Sequence, residues 1–392
     1  MRIRRTTAAT VGLLLAGVAA TPAHAQTIRE KQWHLDAMKA DEVWKVSTGK
    51  GVTVAVIDTG VGRIAELEGQ VLAGKDFAAG RKSYDGDERT DYDNHGTAIA
   101  ALIAGTGKHP SGDGSYGLAP GAKILPLRVP NEMDRATPSW VAAIRYAADS
   151  DAKVINISLG FPGLPEDDLA RAEAVKYALS KGKLIFASVG NDGATVNRVE
   201  YPSATPGVVG VGAVSADGGA TKESQHGPQV DMAAPGVDIV TACAGDTGLC
   251  NTHGTSDASA LASASAALLW SAHPDWTNNQ VLRVLLNTAG KPADGAARND
   301  YVGYGVVRPR IAVPTPGDPG PRDVYPLPDL AGADAANKPA APSTDSKPAP
   351  QAESAGRKSG SGSGLPWIAL GLGACVVIGG AVTAVAVRRN RR

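Results

Sequence analysis

Val52-Thr53-Val54-Ala55-Val56-Ile57-Asp58-Thr59-Gly60 is the stretch that decides the fold. Residues 52–57 form a short, near-continuous apolar run rich in β-branched side chains. A strand of that kind has two apolar faces and belongs in a parallel sheet covered by helices on both sides. Similar runs recur at 124–129, 154–159, 184–188 and 208–214, with helical stretches at 139–149 and 166–181 between them. The alternation predicts right-handed crossovers and one α/β domain with a doubly wound, mostly parallel sheet. Over about 260 residues such a domain can bury a sizeable core.

Ligands of doubly wound sheets bind at the carboxyl ends of the strands. Asp58 follows the first run directly, Ser158, Leu159 and Gly160 close the third, and Asn191 follows the fourth after a turn through Gly190. Two further motifs carry chemistry, Asn94-His95-Gly96-Thr97 and Gly254-Thr255-Ser256. A serine hydroxyl is a weak nucleophile at neutral pH; it needs a base within hydrogen-bond reach, and the base needs a third group to fix its tautomer. Asp58, His95 and Ser256 supply one candidate for each role.

Residues 96–104 are small and apolar and predict a buried helix whose first turn presents His95. Ser256 opens an alanine-rich helix, whose N–H groups and positive dipole end suit the oxyanion of a tetrahedral intermediate. The Asn191 amide is a candidate second donor. Taken singly, Ser256 would serve as an N-cap and Gly190-Asn191 as a turn; together with Asp58 and His95 the serine reads as catalytic, and so does Asn191 by its place on the same predicted sheet edge as Asp58 and Ser158 to Gly160. His253 lies too close in sequence to Ser256 to serve as its base. A second Asp-Thr-Gly at Asp246-Thr247-Gly248 raises a two-aspartate reading, as in aspartic proteases. That reading fails because this copy has no apolar strand before it, lies between Cys243 and Cys250, and leaves the His and Ser motifs unexplained.

The flanks have other compositions. Residues 1–25 read as a signal peptide, with Arg2, Arg4 and Arg5, an apolar run and Ala23-His24-Ala25 as the cleavage site. Residues 26–312 hold the α/β domain with an N-terminal extension. Ten prolines fall in the 52 residues 313–364, which read as a Pro/Ala/Gly/Ser-rich linker. Residues 365–387 are 23 residues without a charge, enough for a transmembrane helix. The tail 388–392 carries Arg388, Arg389, Arg391 and Arg392 and is expected in the cytoplasm, with the domain extracellular at the cell membrane.

The formal charge of zero conceals an asymmetry. Residues 26–364 contain 39 acidic and 32 basic side chains, a net of −7, which argues against a nucleic-acid partner. Cys243 and Cys250 are expected to form a disulfide in an exported domain, since their spacing does not suit zinc. Asp85, Asp87, Asp91 and Asp93 read as a solvated acidic loop. No metal and no cofactor is expected.

The chain resembles the subtilisin-like serine proteases, or subtilases. The resemblance rests on Val56-Ile57-Asp58-Thr59-Gly60, Asn94-His95-Gly96-Thr97, Gly117-Leu118-Ala119-Pro120, Val154-Ile155-Asn156-Ile157-Ser158-Leu159-Gly160, Gly190-Asn191, Ala233-Ala234-Pro235-Gly236 and Gly254-Thr255-Ser256, in that order. It implies that Asp58 orients His95, that His95 is the base, that Ser256 attacks, and that Asn191 and the Ser256 N–H bind the oxyanion. It also implies that Ser158, Leu159 and Gly160 pair with the substrate backbone, with pocket walls near Ala187 and Gly190 and in the loop 194–202.

The order of segments is similar to that of the mycosins, membrane-anchored proteases of type VII secretion, and so is Gln32-Trp33-His34-Leu35. That likeness implies a protein or peptide substrate, a membrane, and a type VII secretion complex as partner. Two roles follow: an endopeptidase cleaving exported proteins, or a structural subunit that stabilises a membrane complex. One departure from the family is Asp257, where an apolar residue commonly follows the nucleophile. An ionised Asp257 is expected to weaken stabilisation of the transition state.

Overall fold

The computed structural model describes residues 26–80, 84–131, 136–245 and 248–330. The expected signal peptide, most of the linker, the apolar span 365–387 and the basic tail lie outside them. Among the described residues no helix is long and apolar enough to cross a membrane.

The strands are β1 (Thr53–Asp58), β2 (Lys75–Asp76), β3 (Lys123–Arg128), β4 (Val154–Ile157), β5 (Phe161–Pro162), β6 (Leu184–Ser188), β7 (Glu200–Tyr201), β8 (Val209–Val214), β9 (Met232–Pro235), β10 (Ile239–Ala242) and β11 (Leu249–Thr252). Seven of them form one sheet in the order β2-β3-β1-β4-β6-β8-β9. Every neighbouring pair in it is parallel. β10 and β11 form a hairpin, and β5 pairs with β7.

The helices are α1 (Ile28–Lys31), α2 (Trp33–Ala37), α3 (Ala40–Val43), α4 (His95–Ala104), α5 (Ala136–Asp149), α6 (Leu169–Ser180), α7 (Thr255–Ala272), α8 (Asn278–Thr288) and α9 (Pro309–Ala312).

The period of two in a strand sorts its side chains between two apolar layers. Val54 and Val56 of β1, Phe186 of β6 and Val209 and Val211 of β8 pack with α4 and α7. Ala55, Ile57, Ile155, Ile157 and Ile185 point the other way, against Trp140 and Ile144 of α5 and Ala174, Val175 and Ala178 of α6. This is the doubly wound arrangement predicted from the unbroken apolar runs. α7 lies against β4, β6, β8, β9 and α4. Its alanines from Ala258 to Ala267 are buried, because a helix enclosed on so many sides has no room for larger side chains.

Within the seven-stranded sheet, β2 and β9 were not foreseen; outside it, neither were β5, β7, β10 and β11. β2 has only two residues, and β9 falls in the Ala233-Ala234-Pro235-Gly236 motif, whose small side chains carry little strand signal.

Two segments outside the sheet are tied to it. In the N-terminal extension, buried Gln32 donates Nε2 to Tyr116 O at 2.8 Å and Val240 O at 3.1 Å, and accepts from Tyr116 N at 3.0 Å. Trp33 and Trp44 donate their indole N–H groups to Val237 O and Leu118 O. At the other end the composition was misleading: residues 313–330 do not behave as a linker. Val313 and Leu327 are buried. The Arg283 guanidinium of α8 donates to the carbonyls of Pro319, Pro321 and Val324, and Gln280 Nε2 donates to Gly320 O. Proline removes backbone donors but keeps its carbonyl acceptors, so side chains of a helix can hold a Pro-rich segment in place.

Candidate active site

Asp58 ends β1 and is buried, with 1% of its side chain exposed. Its Oδ1 accepts from the Thr59 N–H at 2.8 Å and lies 2.7 Å from His95 Nδ1. That bond fixes the tautomer in which Nδ1 carries the proton and Nε2 is free to accept one. His95 is the first residue of α4, entered through Asn94 in the left-handed conformation (φ 63°), which asparagine tolerates better than most residues. Gly96 makes the approach possible. A Cβ there would lie 2.2 Å from Gly60 O and 3.0 Å from Asp58 Cβ.

Asp91 is not the solvated acid expected from the sequence. Its Oδ2 accepts from Thr97 N at 2.7 Å and Thr97 Oγ1 at 2.6 Å, and its Oδ1 accepts from Thr59 Oγ1 at 2.7 Å. Thr59 Oγ1 in turn accepts from Gly96 N at 2.9 Å. Asp91 therefore supplies the acceptor that the first turn of α4 lacks, since Asn94 makes no side-chain cap. It holds that turn to the end of β1 through Thr59. The available signal was an acidic residue shortly before a helix start, where the dipole favours it.

Ser256 is the second residue of α7; Gly254 takes the N-cap position with φ 120°. Ser256 Oγ donates to Ser158 O at 3.0 Å, so the hydroxyl rests on the end of β4. Asn191 Oδ1 accepts from Thr255 N at 2.9 Å and Thr255 Oγ1 at 3.1 Å, and Thr255 Oγ1 accepts from Gly190 N at 3.1 Å. With its carbonyl committed in this way, Asn191 has its Nδ2–H₂ left to donate. A Cβ on Gly254 would lie 3.0 Å from Asn191 Nδ2, so glycine there serves both the φ and the space beside the amide.

A buried polar network ties the 158–160 segment to α7. Asn156 Nδ2 donates to Ser158 Oγ at 2.9 Å, and Ser158 Oγ donates to Ser256 O at 3.0 Å. Ser259 and Ser263 both donate to Asn156 Oδ1, at 3.0 and 2.9 Å. Of the expected pocket residues, Gly160 and Gly190 both lie close to Glu200. Leu159 packs its side chain into the core, which leaves its backbone for any pairing. Ala187 does not reach the crevice: strand alternation turns it into the layer against α5 and α6, fully buried.

Charge gathers around the base. His95 is pushed up to about 9. Burial opposes its charge, but the Asp58 carboxylate, by field and hydrogen bond, and then Asp257 and Asp91 overcome that opposition. Asp257 is buried and its Oδ2 has no hydrogen-bond partner among the described residues. Burial raises its carboxyl to about 6, opposed by a hydrogen bond with Thr252 and by the field of His95. Asp257 thus acts on the base, a relation its position in the sequence did not disclose. His253 is exposed and pairs through Nδ1 with Glu223 at 2.9 Å, away from Asp58.

Cys243 and Cys250 form a disulfide with Cα atoms 5.9 Å apart. It closes the β10–β11 hairpin that leads into Gly254. Among the described residues no group of three or more His, Cys, Asp or Glu could hold a metal ion.

The Subtilase family (Peptidase S8) profile matches residues 49–305. A thermophilic serine proteinase of Bacillus sp. (strain AK1) is 36% identical over 276 residues, which are 70% of this chain and 64% of that protein. The chain therefore spans somewhat under two thirds of that relative's length. Mycosin-1 of Mycobacterium tuberculosis (strain ATCC 25618 / H37Rv) is 32% identical over 341 residues, covering 74% of each chain. Among solved structures, a chain of the periplasmic assembly from the ESX-5 inner membrane complex superposes with a TM-score of 0.66 at 27% identity, covering 85% of this chain and 92% of that one.

Proposed function

Because this chain belongs to the subtilase family and is related to the mycosins, we propose that it is a membrane-anchored serine endopeptidase that cleaves exported proteins, with Asp58, His95 and Ser256 as its triad. The observation that carries the reading is the 2.7 Å bond from buried Asp58 to His95, held on the sheet edge where the first turn of α7 presents Ser256. In the reaction, Ser256 Oγ leaves Ser158 O by rotation about its Cα–Cβ bond and gives its proton to His95 Nε2 as it attacks the scissile carbonyl. Asp58 stabilises the imidazolium that forms. The Asn191 amide and the Ser256 N–H receive the oxyanion. His95 then returns the proton to the leaving amine, and water repeats the sequence on the acyl-enzyme. The substrate backbone pairs as an added strand along Ser158, Leu159 and Gly160.

The setting extends the proposal to the segments outside the described residues. Residues 1–25 direct export, 365–387 span the membrane, and 388–392 stay in the cytoplasm. A second reading, a subunit that steadies a membrane secretion complex, is favoured by the likeness to a chain of the ESX-5 periplasmic assembly. Purified protein and its Ser256→Ala variant test the first reading. Hydrolysis of a peptide library by the native chain and its loss in the variant are expected; equal hydrolysis by both would overturn it. Secretion that persists in a Ser256→Ala strain but stops on deletion would establish the second role.

A further inference from the structure

We infer that Glu200 sets the specificity of this protease: its carboxylate closes the pocket for the substrate side chain on the acyl side of the scissile bond and selects lysine or arginine there. This rests on the protease reading above. Glu200 opens β7, which pairs with β5, the direct continuation of the 158–160 segment. A Cβ on Gly160 would lie 2.7 Å from Glu200 Oε2, and a Cβ on Gly190 would lie 2.7 Å from Glu200 Cδ. The carboxylate therefore touches both sides of the cleft next to the reacting carbonyl. One side is the strand edge that receives the substrate backbone, and the other is the turn that immediately precedes Asn191. At Gly160 the carboxylate is the nearest group; at Gly190 the Gln225 amide lies closer still, 2.4 Å from an added Cβ, and shares that wall with the carboxylate. A substrate strand turns alternate side chains to opposite faces. The residue whose carbonyl meets Ser256 and Asn191 directs its side chain between Gly160 and Gly190, toward Glu200.

The carboxylate is held in place and lacks a cation. Gln225, fully buried, donates Nε2 to Glu200 Oε1 at 2.9 Å and its backbone N–H to Gly190 O at 3.0 Å. No ion pair among the described residues includes Glu200. Burial pushes its carboxyl up to about 7; the Gln225 hydrogen bond and Arg198 oppose this, and Asp192 adds to it. A half-buried acid in that state is stabilised by an arriving ammonium or guanidinium, which supplies both the missing charge and charge-assisted hydrogen bonds. Asp192 adds a second negative field at the same mouth. An acidic substrate side chain meets the opposite conditions and is rejected.

The test uses the native chain, Glu200→Gln and Glu200→Lys, with peptides that differ only in the residue before the cleaved bond: Arg, Lys, Leu or Glu. The ratio of kcat/KM for Arg or Lys over Leu should exceed about tenfold in the native chain. It should collapse by at least about tenfold in Glu200→Gln, and Glu200→Lys should favour the Glu peptide. Peptide aldehydes ending in Arg or Leu should show the same change in ratio by inhibition constant. Glu200→Asp, which keeps the charge, should retain part of the preference and controls for misfolding. The same ratio in the native chain and Glu200→Gln, or a native preference for Leu, overturns the proposal. Cleavage of the Leu peptide without basic preference sinks only this inference; failure to cleave every peptide, with no labelling of Ser256 by a fluorophosphonate, sinks the protease reading with it.

Discussion

Replacing Gly96 by alanine should cost catalysis far more than it costs the fold. The added Cβ would stand 2.2 Å from Gly60 O. Carbon approaches a carbonyl oxygen no closer than about 3.3 Å, so a gap of about 1 Å must open between the first turn of α4 and the end of β1. The His95–Asp58 bond, now 2.7 Å, bridges that gap and would stretch to about 3.7 Å, beyond hydrogen-bond range. Misplacing a catalytic group by about 1 Å costs about 10²-fold in rate. Overpacking of this kind costs about 1–3 kcal/mol, less than the usual stability of a domain, about 5–15 kcal/mol. The assay is kcat on a fluorogenic peptide at pH 9 with thermal unfolding alongside. The expected result is a loss of about 10²-fold with a cooperative melt retained. A folded Gly96→Ala chain with undiminished kcat would refute the reasoning, since α4 would then move off Gly60 without drawing His95 from Asp58.

Other outcomes follow from the same geometry. Asn191→Ala should lower kcat by about 10²–10³ with little change in KM; that range comes from subtilisin itself and is carried over within the family. Neutral His95 is the form that accepts a proton, so turnover should rise with pH through about 9. Asp257→Asn removes one of the carboxylates that keep His95 charged, so the rising limb should move to lower pH, with up to about tenfold gain at pH 7 per unit of displacement. The folded carboxyl of Asp257 titrates at about 6 against 3.8 for a free aspartate. The folded state therefore binds more protons, and stability falls as pH climbs through that window. Urea unfolding should show Asp257→Asn more stable than the native chain at pH 7.5 and not at pH 4. Asn156→Ala leaves Ser158, Ser259 and Ser263 without their shared partner and should destabilise the domain by about 1–3 kcal/mol; KM should rise as the Ser158–Gly160 edge loosens.

What could be read in advance was set by local pattern. Unbroken apolar runs announced buried parallel strands, and an aspartate at the end of one announced the sheet edge. The small residues after His95 and Ser256 announced helices enclosed on all sides. Partnerships across long stretches of chain were not legible. Asp91 looked like one acid among four, and three of its four donors come from Thr59 and Thr97. Glu200 stood in a loop with no motif, and its meaning lies in two glycines 40 and 10 residues away in the chain. The prolines of 314–328 suggested an untethered linker because composition cannot show that Arg283 and Gln280 reach their carbonyls. Ala187 was assigned to the pocket by its nearness to Gly190, but the two-residue period of β6 turns it inward. The expected signal peptide and membrane span are read from composition and fall outside the described residues.

The central claim is that Ser256 is a nucleophile activated by His95. The direct measurement is peptide mapping by mass spectrometry after reaction with a fluorophosphonate. The account predicts a single adduct on the peptide that carries Ser256, formed rapidly by the native chain, slowed strongly in His95→Ala and absent in Ser256→Ala. A folded native chain that forms no adduct, or that forms its stoichiometric adduct on another residue, would contradict it.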